Sequence, residues 1–351
     1  CYKKLNMSKK DLSVLKIKKD FNLNNQTLRI YSEFSNSLKI ITKSKPFLVA
    51  VSGGPDSLAL AALSKIYMKY QKNKVQFVLI DHGIRKESSK EAHSVKKLLA
   101  KKKIKLQILK NDQKIEKNVQ NHARNIRYNL LIDYCKKKKI QYILTAHHSE
   151  DQIETFFIRL SRGSGVQGLS SMNKITKLNN NIRLLRPLLD QRKFALSNIA
   201  KEYFGKFFKD PSNANKRYLR TRIRDLKNQL EKSGIRHEQI IKSINNLAST
   251  RDTLNDYLLR VKQKAIIKKK KNFYLDITYL SKETREIFLR VLGDTIRETS
   301  KSYYPPRASK VLKLLNTIEE KREFKVTLGG CIISRKRNLL FLCRENLKKK
   351  I

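Results

Sequence analysis

FLVAVSGGPDSLALAALSKIYMKY, residues 47–70, is the stretch of this 351-residue chain that decides its fold class. The apolar run Phe47–Val51 predicts a buried strand, and Ser57–Tyr70 is long enough to form a helix. The residues that join them are Ser52, Gly53, Gly54, Pro55, Asp56 and Ser57. Paired glycines let a backbone approach a ligand closely, and the N–H groups of such a loop, backed by a helix dipole, favour an anion. The loop therefore predicts a phosphate site, and it lacks the G-x-x-x-x-G-K-S/T spacing of Walker-type nucleoside triphosphatases.

Asp56 is the unusual member of this loop, because a carboxylate repels a phosphate unless a cation lies between them. A Mg²⁺ ion held by Asp56 against the phosphates would remove the repulsion. An ordinary strand–helix turn capped by Ser57 is the alternative interpretation. The complete hexapeptide directly after an apolar strand favours the phosphate site.

The alternation of apolar runs and amphipathic stretches continues along the chain. Further strands are predicted at Val75–Asp81, Ile104–Leu109 and Tyr142–His147, with helices at Ser88–Lys101 and Asn118–Lys136 between them. This order predicts an α/β fold with a parallel sheet covered by helices on both faces. Ligands of such sheets bind beyond the carboxyl ends of the strands.

Polar residues also lie at the carboxyl end of the second strand. Asp81, His82 and Arg85 follow the second strand, so we expect them to face the same crevice as the phosphate loop. An ordinary turn is the alternative for this short motif.

The fourth strand runs into Thr145–Thr155, which reads TAHHSEDQIET. Ser149 and Gln152 fit a capping box that starts a helix, and Asp151 then lies in the first turn, where it can hold Mg²⁺ opposite Asp56. The two histidines are adjacent and lack the i, i+4 spacing of a helical zinc motif, so zinc is disfavoured.

Two clusters of arginine suggest contacts with phosphate. Arg124, Arg127 and Tyr128 share one face of a predicted helix, although a solvated charged face is the alternative for them. Downstream, Arg186 precedes a denser patch in which an aromatic ring is available for stacking on a base. The patch consists of Arg217, Tyr218, Arg220, Arg222 and Arg224.

Composition limits the class of protein. Lys and Arg number 79 and Asp and Glu number 30, a net charge of +49 that favours a polyanionic partner such as a nucleic acid. Four cysteines without CxxC spacing argue against a disulfide scaffold and indicate reduced packing thiols. The chain shows neither a signal-peptide pattern nor an 18-residue apolar stretch, so we expect a soluble cytoplasmic protein without a membrane partner.

Three parts are predicted along the chain. Residues 1–215 form the α/β domain, with an irregular stretch at 162–190. Residues 216–300 read as a very basic helical module, and residues 301–351 as a small α+β domain with a hairpin at Gly329-Gly330.

The loop SGGPDS resembles the pyrophosphate-binding loop of the N-type ATP pyrophosphatases, which cleave ATP between its α and β phosphates. Later motifs, in the same order, resemble those of one branch, the tRNA(Ile)-lysidine synthetases, over residues 47–225. These motifs are DHGIR (81–85), ARNIRY (123–128), AHHSEDQIET (146–155), RGSG (162–165), RPLL (186–189) and DPSN (210–213). One departure is Thr221, which stands where that family usually has Asn.

The resemblance implies a bacterial ligase that uses ATP and Mg²⁺ to join free L-lysine to C2 of the wobble cytidine of tRNA(Ile) with a CAU anticodon. The reaction passes through an adenylated cytidine and releases pyrophosphate and AMP. It also implies roles for individual residues. The implied nucleotide site comprises Ser52, Gly53, Gly54, Pro55, Asp56, Ser57, Asp81 and His82. The implied metal ligands are Asp56 and Asp151, and the implied catalytic residues are these two with Arg124, Arg127 and His147. The implied tRNA contacts are Arg85, Arg186, Arg217, Tyr218, Arg220, Arg222 and Arg224.

Two other functions remain open at this point. A tRNA thiolase of the same superfamily would need paired cysteines or an iron–sulfur cluster, and the spacing of the cysteines disfavours it. A non-catalytic basic RNA-binding protein would be expected to have lost the carboxylates Asp56, Asp81 and Asp151, which are all present.

Overall fold

In the computed structural model the chain folds into two compact units, Cys1–Leu247 and Ala248–Ile351. The structure describes residues 16–21, 23–71, 73–83, 87–111, 119–179, 181–208, 219–302 and 305–345. The three-part division at 215/216 and 300/301 stays a prediction, and both of its boundaries fall inside these units. None of the described helices is long and apolar enough to cross a bilayer.

The first unit alternates strands and helices, as its sequence pattern predicts. After a helical stretch at 16–21, its elements are α1 (Asn25–Thr42), β1 (Phe47–Val51), α2 (Pro55–Gln71), β2 (Val75–Asp81), α3 (Ser88–Ala100), β3 (Leu106–Lys110), α4 (Val119–Lys137), β4 (Tyr142–Leu144), α5 (Ser149–Leu160), α6 (Val166–Leu169), β5 (Ile175–Lys177), β6 (Arg183–Leu185), α7 (Lys193–Phe204), α8 (Leu219–Asp225) and α9 (Lys227–Lys232). The long helix α10 (His237–Ala265) then continues into the second unit.

The described strands of the first unit form one sheet in the order β3-β2-β1-β4-β6-β5. All neighbours are parallel except β5, which runs antiparallel to β6. Phe47 of β1 pairs with Val75 on one side and Tyr142 on the other. The chain moves outward from β1 to β3 and then returns to place β4 on the other side of β1. This reversal creates a crevice between the carboxyl ends of β1 and β4, where open α/β sheets bind their ligands.

Helices cover both faces of this sheet, which confirms the predicted α/β class. Phe47 and Val49 of β1 point into a core shared with α1, α2, α3 and α7. The alternate residue Leu48 points into the opposite core, with Leu131 and Cys135 of α4. Burial raises the pKa of the Cys135 thiol to about 12, so this cysteine is a packing group.

The prediction of irregular structure at 162–190 is wrong in part, because α6, β5 and β6 lie there. The strand β6 extends the parallel sheet beside β4, and its Leu184 and Leu185 are buried. β5 (ITK) and β6 (RLL) each contain a charged residue, so neither shows the continuous apolar run that reveals the equally short β4 (YIL).

The described strands of the second unit form an antiparallel sheet in the order β7-β8-β11-β10-β9. Its elements are β7 (Ile266–Lys269), β8 (Asn272–Asp276), α11 (Ile277–Leu280), α12 (Arg285–Ser300), α13 (Ala308–Glu320), β9 (Glu323–Leu328), β10 (Cys331–Lys336) and β11 (Leu339–Arg344). The predicted turn at Gly329-Gly330 joins β9 to β10, and both glycines have positive φ.

The prediction of helix through the lysine run at 268–271 is wrong, because this stretch forms the β7–β8 hairpin. Lys270 occupies its turn with φ 54°. The reason lies in the next residues, since Phe273 and Leu275 alternate into the core with the period of a strand.

Candidate active site

The loop between β1 and α2 is closed by the side chain of Ser57. Its Oγ accepts hydrogen bonds from the backbone N–H groups of Ser52 and Gly53, each at 3.1 Å, and donates to the Gly54 carbonyl at 3.0 Å. Pro55 opens α2, where its missing N–H costs no helical hydrogen bond. Ser57 thus holds the predicted phosphate loop in shape at the amino end of a helix.

Gly53 is the position in this loop that requires glycine. Its φ is +87°, and a Cβ atom there would lie 2.5 Å from Cγ2 of Val95 on α3. The Gly53 carbonyl accepts a hydrogen bond from the Phe208 N–H at 3.0 Å, so the chain after α7 closes over this side of the loop. Gly54 differs, because a Cβ there would meet only Ser52 Oγ, at 4.0 Å.

His148 brings the two predicted metal ligands together. Its Nε2 lies 3.6 Å from Asp56 Oδ2 and 3.5 Å from Asp151 Oδ2, and its Nδ1 lies 3.1 Å from Glu150 Oε2. Burial by itself lowers the pKa of His148, but the bonds to Asp56 and Glu150 and the charge of Asp151 outweigh it and raise the pKa to about 10. His148 is therefore an imidazolium that separates two carboxylates drawn from different loops.

Asp56 and Asp151 also fit the magnesium ion that the sequence implies. Asp56 Oδ1 is buried and has no hydrogen-bond partner among the described residues, so a ligand oxygen is available. Within the same ranges, no three His, Cys, Asp or Glu side chains are placed to hold one metal ion. Mg²⁺ commonly takes only one or two protein carboxylates and keeps its other ligands as water and phosphate oxygens, so a pair of aspartates suits it.

The helix that carries Asp151 starts one residue earlier than predicted. His148 is its N-cap, with extended backbone, and Asp151 Oδ2 accepts a hydrogen bond from the His148 N–H at 3.2 Å. The predicted box of Ser149 with Gln152 is wrong, because Gln152 instead bonds the backbone of Met172 through both ends of its amide. The corrected cap fixes Asp151 at the mouth of the crevice.

His147 lies beside His148 but in the opposite electrostatic setting. Burial lowers the pKa of His147, and nearby arginine charges reinforce that effect against the pull of Asp151. Its Nδ1 is 2.9 Å from Thr145 Oγ1. The structure thus favours a neutral imidazole at His147.

The end of β2 supplies a buried carboxylate and a neutral histidine. Asp81 Oδ1 accepts from the Gly83 N–H at 3.1 Å and Oδ2 from Ser89 Oγ at 2.5 Å. Burial by itself raises the pKa of Asp81, but these bonds outweigh it and hold the pKa below its ordinary value. Burial and the charge of Arg127 lower the pKa of His82 to about 4. Both ring nitrogens of His82 are buried without a partner in the described part of the chain, and Arg85 lies outside it.

The arginines of α4 lie close enough to the two histidine loops for their charges to act there. Arg124 stacks over the ring of Tyr128, with its guanidinium carbon 5.2 Å from the ring centroid. Both Arg124 and Arg127 are exposed. The charge of Arg124 acts on His147 and that of Arg127 on His82, so the two guanidinium groups border both histidine loops.

The downstream arginine patch is tied to α5, the helix that carries Asp151, by Glu154, which sequence reasoning missed. Glu154 is buried on α5, with its carboxylate 3.0 Å from Arg220 Nε and 2.5 Å from Arg224 Nε. Burial by itself lowers the pKa of Arg224, but the bond to Glu154 and the charges of Asp151 and Asp56 raise it. The i, i+3 spacing from Asp151 could have identified Glu154, because both then lie on one helix face.

The other predicted tRNA contacts differ in their exposure to solvent. Arg222 is exposed on α8, and Arg217 and Tyr218 lie outside the described residues. Arg186 is buried, and its Nη1 donates to the Asn173 carbonyl at 2.7 Å and to a nearby threonine hydroxyl at 2.8 Å. Its guanidinium therefore holds a loop of the protein, whereas the predicted role needs an exposed group.

Comparisons with known proteins agree with the family that the sequence motifs resemble. The model of a family described as a PP-loop domain matches residues 22–230. A tRNA(Ile)-lysidine synthase of Wolbachia pipientis wMel is 35% identical over 306 residues, which are 85% of this chain and 70% of the relative. The enzyme of the same name from Orientia tsutsugamushi is 33% identical over 307 residues, 85% of this chain and 69% of the relative.

Among solved structures, the U34-tRNA thiolase NcsA from Methanococcus maripaludis, which contains a [4Fe-4S] cluster, shares the fold. It is similar with a TM-score of 0.52 and 19% identity over 62% of this chain and 78% of the thiolase. At that identity the likeness concerns the fold alone.

Proposed function

The chain belongs to the tRNA(Ile)-lysidine synthase family of PP-loop proteins, and from that premise we propose that it joins free L-lysine to the wobble cytidine of tRNA(Ile) with a CAU anticodon, at the expense of ATP. The observation that carries the proposal is the convergence of a glycine loop at a helix amino end with two carboxylates, Asp56 and Asp151, at the reversal point of the sheet. The first unit holds all of these groups.

The first step makes C2 of the cytidine open to substitution. The C2 carbonyl oxygen attacks the α phosphorus of ATP, the bond to the β-phosphate oxygen breaks, and pyrophosphate leaves. The oxygen on C2 then belongs to an AMP group, which is a far better leaving group than a carbonyl oxygen. In the proposed reaction the loop of Ser52–Ser57 and the amino end of α2 bind the phosphates that leave, because a helix amino end favours an anion.

Charge develops on the phosphates during this step, and the site can offset it. Mg²⁺ on Asp56 and Asp151 would supply Lewis-acid stabilisation of the phosphate oxygens when bound. Arg124 and Arg127 border the crevice with positive charge, and the neutral His147 and His82 can offer directed hydrogen bonds.

The second step needs an uncharged lysine amine. The ε-nitrogen attacks C2, the bond from C2 to the AMP oxygen breaks, and the amine proton passes to an acceptor. Asp81 is a weak candidate acceptor because both of its oxygens already accept hydrogen bonds and its pKa is lowered. Asp151 Oδ2 likewise accepts a hydrogen bond, from the His148 N–H, and the proposal uses this carboxylate as a metal ligand.

Thiolation of tRNA is not favoured by the cysteines that the structure describes. In the first unit this is Cys135, which is buried with a pKa of about 12 and cannot act as a thiolate. We place the reaction in the bacterial cytoplasm, since the relatives are bacterial enzymes that act on tRNA by name.

The test is incorporation of radiolabelled lysine into tRNA(Ile) with a CAU anticodon, in the presence of ATP and Mg²⁺. Parallel reactions omit ATP or carry uridine at the wobble position. ATP-dependent label that disappears with uridine is the expected result. Pyrophosphate release without lysine incorporation would contradict the proposed nucleophile and leave only the adenylating fold.

A further inference from the structure

Glu150 lies where the amino ends of two helices meet. It is in the first turn of α5, and its Oε2 accepts a hydrogen bond at 2.9 Å from the N–H of Lys193, the first residue of α7. Arg192, the N-cap residue of α7, does not cap that helix with its own side chain. Because a helix amino end has N–H groups without helical partners and favours negative charge, Glu150 stabilises the start of α7 from a neighbouring helix.

The same carboxylate also holds His148. Its Oε2 lies 3.1 Å from His148 Nδ1 and accepts a hydrogen bond from Ser149 Oγ at 3.1 Å. Its Oε1 lies 3.3 Å from Arg192 Nε. A carboxylate has an acceptor at each oxygen, whereas an amide has an acceptor at one end and a donor at the other. Only an acidic side chain of this length therefore satisfies the donors on both sides.

The contact at Nδ1 decides what the other ring nitrogen of His148 can reach. Rotation about the last torsion of a histidine side chain has broad minima, so a partner at one nitrogen is needed to fix the ring. With Nδ1 held by Glu150, Nε2 lies 3.6 Å from Asp56 Oδ2 and 3.5 Å from Asp151 Oδ2. Glu150 thus fixes the atom that lies between the two carboxylates.

A row of charged groups connects this ring to the protein surface. Beyond Glu150, Arg192 Nη1 lies 2.7 Å from Oε1 of Glu238 on α10. The exposed fraction of the side chain rises along the row, from 3% at His148 to 17% at Glu150, 43% at Arg192 and 75% at Glu238. Exposed ion pairs contribute little because water screens them. We therefore expect the inner contacts to matter for the site, and the outer pair provides a control.

We propose that Glu150 is a positioning residue of the metal site. It holds the His148 ring between Asp56 and Asp151 and so sets the spacing of these carboxylates before ATP and Mg²⁺ bind. The inference rests on the proposed function, which assigns the metal ion to the two aspartates. Removing a group that orients the ligands of a metal ion commonly lowers the affinity for the metal by roughly 10- to 100-fold.

Metal affinity tests the proposal without relying on turnover. Mn²⁺ replaces Mg²⁺, and the paramagnetic resonance signal of free Mn²⁺ measures how much of it binds together with an ATP analogue that has a methylene group between its α and β phosphates. Glu150→Ala is expected to lower the Mn²⁺ affinity about 10-fold. The affinity for the same analogue in EDTA should stay near that of the wild type, because the phosphate loop is unchanged.

Three further variants grade the effect. Glu150→Gln keeps the size of the side chain but places an amide donor against either His148 or Arg192, so the Mn²⁺ affinity should fall while the fold is retained. Arg192→Gln leaves the contact with His148 and should have a smaller effect. Glu238→Gln removes only the exposed outer pair and should match the wild type.

Glu202 provides a matched control on α7. It also joins two helices through a carboxylate, because it accepts hydrogen bonds from the Asn24 N–H and from Thr27 Oγ1, both at 2.9 Å, at the start of α1. Glu202→Ala should lower the unfolding temperature and leave the Mn²⁺ affinity unchanged. Equal Mn²⁺ affinities for Glu150→Ala and Glu202→Ala would show that Glu150 only holds helices together. That result, or a parallel loss of analogue binding in EDTA, would overturn the proposal.

Lysine incorporation separates this inference from the proposed function. In Glu150→Ala the KM for Mg²⁺ should rise about 10-fold, while kcat at saturating Mg²⁺ stays close to that of the wild type. A lower kcat with an unchanged KM would contradict the positioning role. If the wild-type chain binds Mn²⁺ with the analogue but incorporates no lysine, the proposed function fails and the Mn²⁺ affinities still decide on Glu150. If the wild-type chain binds no Mn²⁺, the metal assignment and this inference both fail.

Discussion

His147 and His148 are adjacent in the chain and have opposite charge states. His148 is surrounded by Asp56, Glu150 and Asp151, which raise its pKa to about 10, whereas burial and arginine charges lower the pKa of His147. The His148 cation offsets the repulsion between Asp56 and Asp151, two carboxylates that must come close together to hold a metal ion. Two adjacent positions on one loop thus shift the pKa of a histidine in opposite directions.

Removing either proposed metal ligand should abolish adenylation. We expect Asp56→Asn or Asp151→Asn to slow pyrophosphate release roughly 100-fold or more, because the developing phosphate charge loses its stabilising cation. The affinity for tRNA should remain near that of the wild type. Asp133→Asn, which removes an exposed carboxylate paired with Lys136, serves as the control. Loss of tRNA binding in parallel with activity would contradict the metal assignment.

Asp81 should make the stability of the first unit depend on pH in the acid range. Its pKa is lowered by the bonds from Ser89 and Gly83 against the effect of burial, so the folded state favours the ionised form. The stabilisation is therefore present above the ordinary pKa of about 3.8 and is lost as pH falls through the lower pKa of the folded state.

Asp81→Asn tests this dependence. It should lower the free energy of unfolding by about 1–2 kcal/mol at pH 7, and the difference from the wild type should shrink as pH falls to 3. Urea unfolding across this range measures it, and Ser89→Ala should reproduce part of the loss. A difference that stays constant from pH 7 to 3 would show that the ionised carboxylate is not what stabilises the loop.

At the scale of elements, the β1–α2 junction depends on one glycine more than on the other. Gly53 has a φ of +87° and faces Val95 so closely that a methyl group does not fit, whereas Gly54 has open space. Strand, loop and helix are thus held in register by a backbone conformation that L side chains rarely adopt.

Gly53→Ala should therefore destabilise the first unit by roughly 2–4 kcal/mol and weaken ATP binding, since it combines backbone strain with overpacking. Gly54→Ala is the matched control and should leave the unfolding temperature nearly unchanged. Adding Val95→Ala should recover the steric part of the loss and leave the strain. Equal unfolding temperatures for the two alanine variants would contradict the geometry of the loop.

The arginines of the short helix α8 have two different roles, as partners of a buried carboxylate or as exposed groups. Arg220 and Arg224 hold the buried Glu154 of α5, while Arg222 is exposed. The predicted tRNA patch is thus in part a structural contact that fixes α8 against the helix carrying Asp151.

Two single substitutions separate these roles. Arg222→Gln should weaken tRNA binding a few-fold and reduce the salt slope by about one, because one phosphate contact is lost. Its unfolding temperature should not change. Arg224→Gln should cost roughly 3 kcal/mol of stability, since it leaves the Glu154 carboxylate buried with one partner fewer. Filter binding and thermal unfolding measure the two effects, and a stability loss in Arg222→Gln would reverse the assignment.

The whole molecule consists of a phosphate-binding α/β unit and a second α+β unit, on a chain with 79 basic and 30 acidic residues. Such a chain releases many counterions when it binds a long polyanion. We expect the logarithm of the tRNA association constant to fall with the logarithm of salt concentration with a slope of roughly −4 to −8. An anticodon stem–loop, which offers fewer phosphates, should give a shallower slope. Equal slopes for the two RNAs would show that the basic surface outside the crevice does not contact tRNA.

Local sequence patterns were sufficient to predict the α/β class of the first unit and the positions of its main strands and helices. The phosphate loop and Asp151 could be predicted because each lies within a continuous motif. Local chemistry decides these features, since strand period, helix capping and loop backbone act over a few residues. The β7–β8 hairpin was missed because its apolar residues Phe273 and Leu275 follow directly on a run of four lysines.

Which residues meet across the crevice depends on the three-dimensional fold and could not be predicted from local patterns. It placed the His148 cation between Asp56 and Asp151, buried Arg186 against a loop, and tied α8 to Glu154. Charge state, burial and pairing depend on groups that are far apart in the chain, and no local pattern contains them. In the second unit, strand pairing likewise selects which alternate residues face the helices, so Phe273 and Leu275 are buried and Tyr274 between them is not.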